Sequence, residues 1–450
     1  MALTAFQTRV FPNNKQKSAF LSWAGFRRKA FNWALERCNA IKAEAENRKF
    51  PLKALGEIDK AFNAGKYPVN FEKKTRSLPL IGTGLHEWAR EIPASIGQAA
   101  IKRDLKESWK RFFAGLSRPP KFQGRNRKKT FYLSNGDLKH EHISRADLQL
   151  RLPKGHGFVR LGDLPKNFEQ SKLEGSTFSC CGDDRWYVSF TLDVPDDDYY
   201  VDHGKRKPVV GVDIGITRYA ALSNGEIFLA PEKMKTLNKR IEALQRQISK
   251  NDRRRVLAVV YKCDRCRGKG INGRSDSKKF CQECRDKLKG LSAKMRKLLA
   301  SKRRTSDKLN RIRENMTHQL STYLTKNFEQ ICIEDLQVKR MTESGAGDVE
   351  QPGKDVKRKA LRNRLMLNVA PYKLRTQMDY KTDKSGGFLV PVPPHFTSQE
   401  CSECGYVDEA NRKSGLFHCL QCGHTENADV NAAKNIQERG CGLSLSEQGS

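Results

Sequence analysis

The sequence has no run approaching eighteen uncharged apolar residues, and its start, MALTAFQTRVFPNNKQK, lacks the apolar core of a signal peptide. Neither a membrane-spanning helix nor an export segment is therefore expected, and the chain is expected to stay inside the cell, in the cytoplasm. Negative charge is scarce, with 51 Asp and Glu against 85 Lys and Arg in 450 residues, a formal charge of +34. A folded chain with that imbalance repels itself unless a polyanion answers it, and nucleic acid is the usual one, with an anionic membrane surface as competitor. Apolar residues make up 37% and aromatics 8%, enough to bury real cores, which excludes a disordered basic tail or a fibrous repeat. The length suits about three domains.

Eight of the 13 cysteines form four CxxC pairs, Cys263/Cys266, Cys281/Cys284, Cys401/Cys404 and Cys419/Cys422, with 14 residues between the pairs of each cluster. Each pair sets two thiolates on one side of a tight turn, and two pairs complete a tetrahedral four-thiolate site, so two structural zinc ions are expected. Gly405 and Gly423 follow the second cluster's pairs, where a knuckle turn can need positive φ. The first cluster flanks a Gly-rich charged tip, RGKGINGRSDSKK. Cys38, Cys180, Cys181, Cys332 and Cys441 have no such spacing and read as packing residues.

Phe6–Phe11 reads as a strand, and Pro12-Asn13-Asn14 stops it and offers a helix cap. From about 15 to 46, Phe20, Trp23, Phe31, Leu35, Cys38 and Ile41 recur at helical spacing, and from about 93 to 113 Ile101, Leu105, Trp109 and Phe112 do the same opposite a basic face. After Pro119-Pro120 and the basic loop KFQGRNRKK, TFYL resumes extended structure, and short alternating segments between Leu148 and Tyr200 predict a small β domain that the N-terminal strand can complete. Residues 15–125 would then be a helical insertion.

The segment PVVGVDIG, 208–215, predicts an apolar strand ending on Asp213, followed by strands at 217–222 and 226–229 joined through Ser223-Asn224-Gly225. An aspartate closing a buried strand is costly unless something positive binds it, such as a divalent metal. Residues 231–260 and 285–328 read as long basic helices bearing the first cysteine cluster as a tip, and QICIE predicts a strand ending at Glu334-Asp335. A further helical region spans 356–379, a strand 388–392, and DVNAAKNIQERG a helix with Asp429 in its first turn, whose Ala432, Ala433 and Ile436 suit close approach to a sheet. Asp213, Glu334 and Asp429 could converge on two Mg²⁺ or Mn²⁺ ions about 4 Å apart, suited to phosphodiester hydrolysis. His318 reads as an ordinary core or surface histidine.

The ordered set GVDIG, IED and TSQECSECG…CLQCG…ADVNAAKNI resembles the RuvC-like nuclease domain of the TnpB superfamily, which includes the miniature type V CRISPR effectors. FPNNKQKSAFLSWAGFRRKAFNWAL, SIGQAAIKRDLKESWKRFF…PPKFQGR and MDYKTDKSGGFLVPVPPHF extend the likeness over most of the chain.

The resemblance implies a multidomain α+β protein: a small β-barrel wedge with a helical recognition insertion, then a ribonuclease-H-like (RuvC) α/β nuclease domain carrying zinc ribbons. The expected ranges are 1–14 plus 126–204 for the wedge and 15–125 for recognition, with 205–396 plus 424–441 for the nuclease domain. An inserted ribbon at 262–285, a target-nucleic-acid-binding ribbon at 397–423 and a tail at 442–450 complete the chain. It further implies an RNA-guided DNA endonuclease that takes a guide RNA, target double-stranded DNA and its displaced strand, with room for two copies on one guide RNA and a nucleoid association on DNA.

Asp213, Glu334 and Asp429 match the family's catalytic carboxylates, and Cys401, Cys404, Cys419 and Cys422 its ribbon. Family members often carry an acidic residue and an arginine where this chain has Asn427 and Ala428, and the Cys263–Cys284 cluster lies outside the compact transposon pattern, favouring a diverged or CRISPR-associated branch active in antiviral defence. The rival readings are an RNA-guided repressor that does not cut, a guide-independent structure-specific nuclease and a zinc-bearing transcription factor. The last leaves the acid-ended strands unexplained.

Overall fold

The computed structural model describes residues 2–44, 55, 58, 92–124, 129–181, 184–263, 266, 281–288, 290–345 and 355–447. The Gly-rich tip at 267–279, residues 125–128 of the basic loop, most of 45–91 and the side chain of Ile41 lie outside them. The chain divides into two compact units, Met1–Tyr199 and Tyr200–Ser450.

The first unit is built on seven strands: β1 (Ala2–Phe11), β2 (Thr130–Ser134), β3 (Ile143–Ser144), β4 (Gln149–Arg151), β5 (Phe158–Leu161), β6 (Lys172–Cys180) and β7 (Trp186–Val194), in the order β2-β6-β7-β1-β5-β4-β3. The N-terminal strand is central, antiparallel to β7 from Ala2↔Val194 to Val10↔Trp186 and to β5 at Val10↔Leu161. Among the described residues no pairing joins β2 to β3. By its hydrogen bonding the expected barrel is thus a seven-stranded antiparallel sheet with two edges.

Between β1 and β2 run α1 (Asn14–Glu44) and a second helical stretch, α2 (Ala94–Ala99), a π-helical Ala100–Leu105 and α3 (Lys106–Phe113). Asn13 caps α1 reciprocally: its Oδ1 accepts from Gln16 N at 2.9 Å, and its own N–H donates to Gln16 Oε1 at 3.0 Å. The helical stripe packs on the sheet, with Phe20 ring centroids 5.4 Å from Phe131 and 5.3 Å from Phe178.

In the second unit, β8 (Lys207–Asp213), β9 (Ala220–Leu222), β10 (Ile227–Phe228), β11 (Phe328–Glu334) and β12 (Phe388–Val392) form a sheet in the order β10-β9-β8-β11-β12. The first three make an antiparallel meander turned at Gly225 (φ +90°), and β11 and β12 join parallel to β8. The strand expected at 217–222 is shorter, because 214–218 leaves the sheet to line a cavity.

The basic helices are α4 (Glu232–Val260), α5 (Gln282–Lys287) and α6 (Ala293–Asn327). The single helix expected over 285–328 breaks at Gly290 (φ +81°), and Ser292 restarts it by accepting from Met295 N at 3.2 Å. The helix expected over 356–379 is likewise two, α7 (Val356–Val369) and α8 (Pro371–Lys384). Pro371 has no N–H to continue the ladder, and Ala370 turns to φ +55° before it.

Strands β13 (Arg412–Lys413), β14 (Leu416–His418) and β15 (Thr425–Asn427) form a small third sheet, and α9 (Ala428–Glu447) ends the described chain. Most of the segment expected as a tail, 442–450, is therefore helical. Among the described residues no helix is long and apolar enough to cross a membrane.

Candidate active site and metal centres

Two adjacent parallel strands end on carboxylates. Val210 and Val212 bury the middle of β8 and Ile331 and Ile333 that of β11, and with Ile333 opposite Val212 the next residues, Asp213 and Glu334, end their strands side by side. The third carboxylate comes from α9, which lies against β8, β11 and β12. That approach depends on two glycines. A Cβ on Gly211 would lie 1.9 Å from Ala433 O, and one on Gly440 would lie 2.2 Å from Cys332 Sγ. Ala432, Ala433 and Ile436 are buried on the same helix. Asp429, in the first turn, then lines one cavity of about 840 Å³ together with Asp213, Glu334, Arg218, Arg362, His395, Thr397 and Arg412.

The electrostatics of this cavity follow from three acids in a half-buried space. Burial, then the charges of Glu334 and Asp429, push the Asp213 carboxyl up to about 7, against the opposing pull of Arg412 and the Ile214 N–H. Burial also raises Glu334, opposed by the Thr397 hydroxyl and by Arg439 and Arg412. Asp429 is held at both oxygens: Arg218 Nη1 donates to Oδ2 at 2.8 Å and Arg412 Nη2 to Oδ1 at 2.9 Å. The Glu334 Oε1 accepts from Thr397 Oγ1 at 2.6 Å. Asp335, next to Glu334 in sequence, turns to Arg375 instead.

Three hard oxygen donors suit a divalent cation, whose charge would offset both the burial and the repulsion that raise Asp213. They form an open cavity rather than a closed cage. Among the described residues, only the two cysteine clusters bring three or more ligand atoms all within 4.8 Å of one another.

Asn427 and Ala428, the two departures before Asp429, have structural explanations. Asn427 Oδ1 accepts from Asp429 N at 3.0 Å, capping α9, and Ala428 is fully buried with Cys401, Phe417 and Cys419. A long side chain at 428 would have no room. Arg218, Arg412 and Thr397 were not singled out from the sequence, since their partners lie 211, 17 and 63 positions away and no spacing links them.

Both cysteine clusters are assembled. Sγ atoms lie 3.7 Å apart for Cys263 and Cys281, 3.7 Å for Cys401 and Cys422, and 3.6 Å for Cys404 and Cys419. These match the edges of a tetrahedron with metal–sulfur bonds of about 2.3 Å and are far too long for disulfides, so each cluster can hold zinc. Gly405 and Gly423 take φ of +73° and +75°, and their N–H groups close the knuckles on Cys401 O and Cys419 O at 2.9 and 3.0 Å. One thiol per cluster is lowered, Cys419 to about 6 by the Cys422 N–H and Cys281 to about 7 by the Cys284 N–H, whereas burial raises Cys401 and Cys284, so a bound cation is needed to hold all four as thiolates.

Two sequence families match the chain: the Cas12f1-like TNB domain over residues 372–436 and a helix-turn-helix domain over residues 1–46. InsQ of Escherichia coli K12, named as a proposed RNA-guided DNA endonuclease, is 29% identical over 440 residues, covering 97% of this chain and 92% of that protein. The CRISPR-associated endodeoxyribonuclease Cas12f1 of Sulfoacidibacillus thermotolerans is 26% identical over 256 residues, covering 56% of this chain and 50% of its own. A cryo-EM structure of a Cas12f1–sgRNA–target DNA complex aligns over 94% of this chain and 83% of that one, at 14% identity and a TM-score of 0.48.

Proposed function

We propose that this chain is a member of the TnpB/Cas12f-like family and an RNA-guided endonuclease that cuts double-stranded DNA beside a short recognition motif. The observation that carries this reading is the meeting of Asp213, Glu334 and Asp429 in one cavity, from two strand ends and a helix start. The strand order, an antiparallel meander followed by two parallel strands, supports reading the second unit as a ribonuclease-H-like, RuvC-type domain. Bound at those carboxylates, Mg²⁺ ions would activate water and stabilise the leaving oxygen of a phosphodiester.

The chain's own residues do the rest. Glu334 and Asp213 present oxygens from adjacent strand ends, and Asp429 adds a third from α9. Arg218 and Arg412 balance Asp429 and stand at the cavity wall, where an incoming phosphate would meet them. The ribbon with Cys401, Cys404, Cys419 and Cys422 holds Arg412 at its first strand, and zinc there would fix shape rather than attack phosphate. Guide RNA would be held by the sheet and helices of the first unit and by the second unit, with sequence choice left to base pairing.

Purifying the protein with its co-bound RNA, sequencing that RNA and challenging a matched plasmid library with Mg²⁺ tests the reading. Guide-dependent double-strand cuts at one flanking motif are the expected result. Binding without cutting would favour the repressor, and cutting without RNA a structure-specific nuclease.

A further inference from the structure

Among the described residues, the Glu334 carboxylate has one side-chain hydrogen bond, from a hydroxyl that belongs to no catalytic set. Thr397 is 2% exposed, and its Oγ1 donates to Glu334 Oε1 at 2.6 Å, with Pro394 O at 3.4 Å as a weaker alternative. A threonine could reach a carboxylate by accident of packing, but this one is anchored from behind.

Thr397 O accepts from Asn435 Nδ2 at 2.9 Å, and Asn435 also donates to Glu400 O at 2.7 Å. One turn earlier on α9, Asn431 donates to Glu400 O at 2.7 Å and accepts from Ser402 N at 3.0 Å. One turn later, Arg439 reaches His395 O and the Glu400 carboxylate. Asn431 and Asn435 are 0% and 2% exposed, so these are buried polar groups spent on fixing the backbone of 395–402. The helix that supplies Asp429 therefore also sets the height of the Thr397 hydroxyl over Glu334.

We infer that Thr397 is a positioning residue for the metal-binding form of Glu334: by occupying Oε1 it leaves Oε2 to face the cavity. This rests on the nuclease reading above. The physical reason is that an unrestrained glutamate must lose rotamer freedom when it binds a cation, whereas one already held by a neighbour does not, and outer hydrogen bonds of this kind tune metal affinity about 10–100-fold. Hydroxyl, not bulk, is the operative feature. Valine has nearly the shape of threonine and no donor, and serine keeps the donor.

The test uses Mn²⁺ as the probe on the full chain in its zinc-loaded form, without nucleic acid, measured by the electron paramagnetic resonance signal of free Mn²⁺. T397V is expected to bind Mn²⁺ about 10-fold more weakly or worse, and T397S within about 3-fold of the unaltered chain. In an E334Q background, where Asp213 and Asp429 still hold the ion more weakly, T397V should have no further effect, because the carboxylate oxygen that Thr397 leaves for the cation has been replaced by an NH₂ group; a merely structural threonine would weaken both backgrounds alike. Zinc content and melting temperature report folding, and T397A replaces T397V in the same comparison if the valine variant melts early. Equal Mn²⁺ affinity of T397V and the unaltered chain, or T397S as weak as T397V, overturns the inference. If E334Q binds Mn²⁺ as tightly as the unaltered chain, the nuclease reading itself fails, which is a different result.

Discussion

At the scale of single residues, Asp213 is an expense the fold does not need. A carboxyl at the end of a buried strand, facing two more acids, is pushed up to about 7, so at neutral pH its charge works against folding. Replacing it should not cost stability, yet should remove a cation ligand. Asp213→Asn is expected to melt no lower than the unaltered chain, to keep guide-dependent DNA binding, and to lose cleavage by roughly 100-fold or more, a size typical of deleting a preorganised electrostatic group. Plasmid nicking and a mobility-shift titration on the same preparation measure the two sides. A matching loss of binding would make the residue structural.

These three acids were legible in sequence because each sits where a periodic pattern stops: an apolar strand, an alternating strand, a helix start. Their partners were not. Nothing local distinguishes Arg218 or Arg412 among 85 basic residues, and Thr397 reads as an ordinary polar residue until Glu334, 63 positions earlier, is folded beside it.

At the scale of elements, the site is set by how closely α9 lies on the sheet. The small residues Ala432 and Ala433 were visible as a helix face, but their counterpart on the strand, Gly211, is a lone glycine in an apolar run, and only the helix crossing it shows its purpose. A methyl group there would press on the backbone of Ala433 and Gln437, which cannot swing aside as a side chain would. Gly211→Ala is expected to lower stability by about 1–3 kcal/mol, the usual cost of overfilling a packed interior, and to reduce cleavage further by moving Asp429. Thermal melting read beside cleavage checks both. An unchanged melt would mean that α9 rides over the strand with room to spare.

The ribbons belong to the same scale. The CxxC spacing made both clusters legible, whereas the breaks at Gly290 and Ala370 were hidden inside patterns that stay helical on either side. The second ribbon has a core of only Cys401, Phe417, Cys419 and Ala428, too little apolar surface to hold three short strands alone. Metal analysis under reducing conditions should therefore give about two zinc ions per chain, and removing them should raise hydrogen exchange in 401–427 first. One ion per chain would leave the Cys263–Cys284 cluster without its expected role.

At the scale of the whole molecule, a formal charge of +34 has to be reconciled with two stable cores. Surface lysines and arginines cost little while salt screens them, but they concentrate counterions that are released when phosphates take their place. Nucleic-acid affinity must then fall with salt in proportion to the phosphates contacted. If six to ten phosphates are neutralised, affinity should drop about 10³–10⁵-fold between 50 and 200 mM salt. A membrane surface would show a similar decline on anionic vesicles, so the informative comparison is between the two polyanions at one salt concentration. Guide RNA should bind far more tightly than vesicles, because a lipid surface offers charge without the fixed spacing of a folded RNA. A shallow salt slope with RNA would mean that the positive charge serves something other than phosphate, and the guide-RNA reading would lose its electrostatic support.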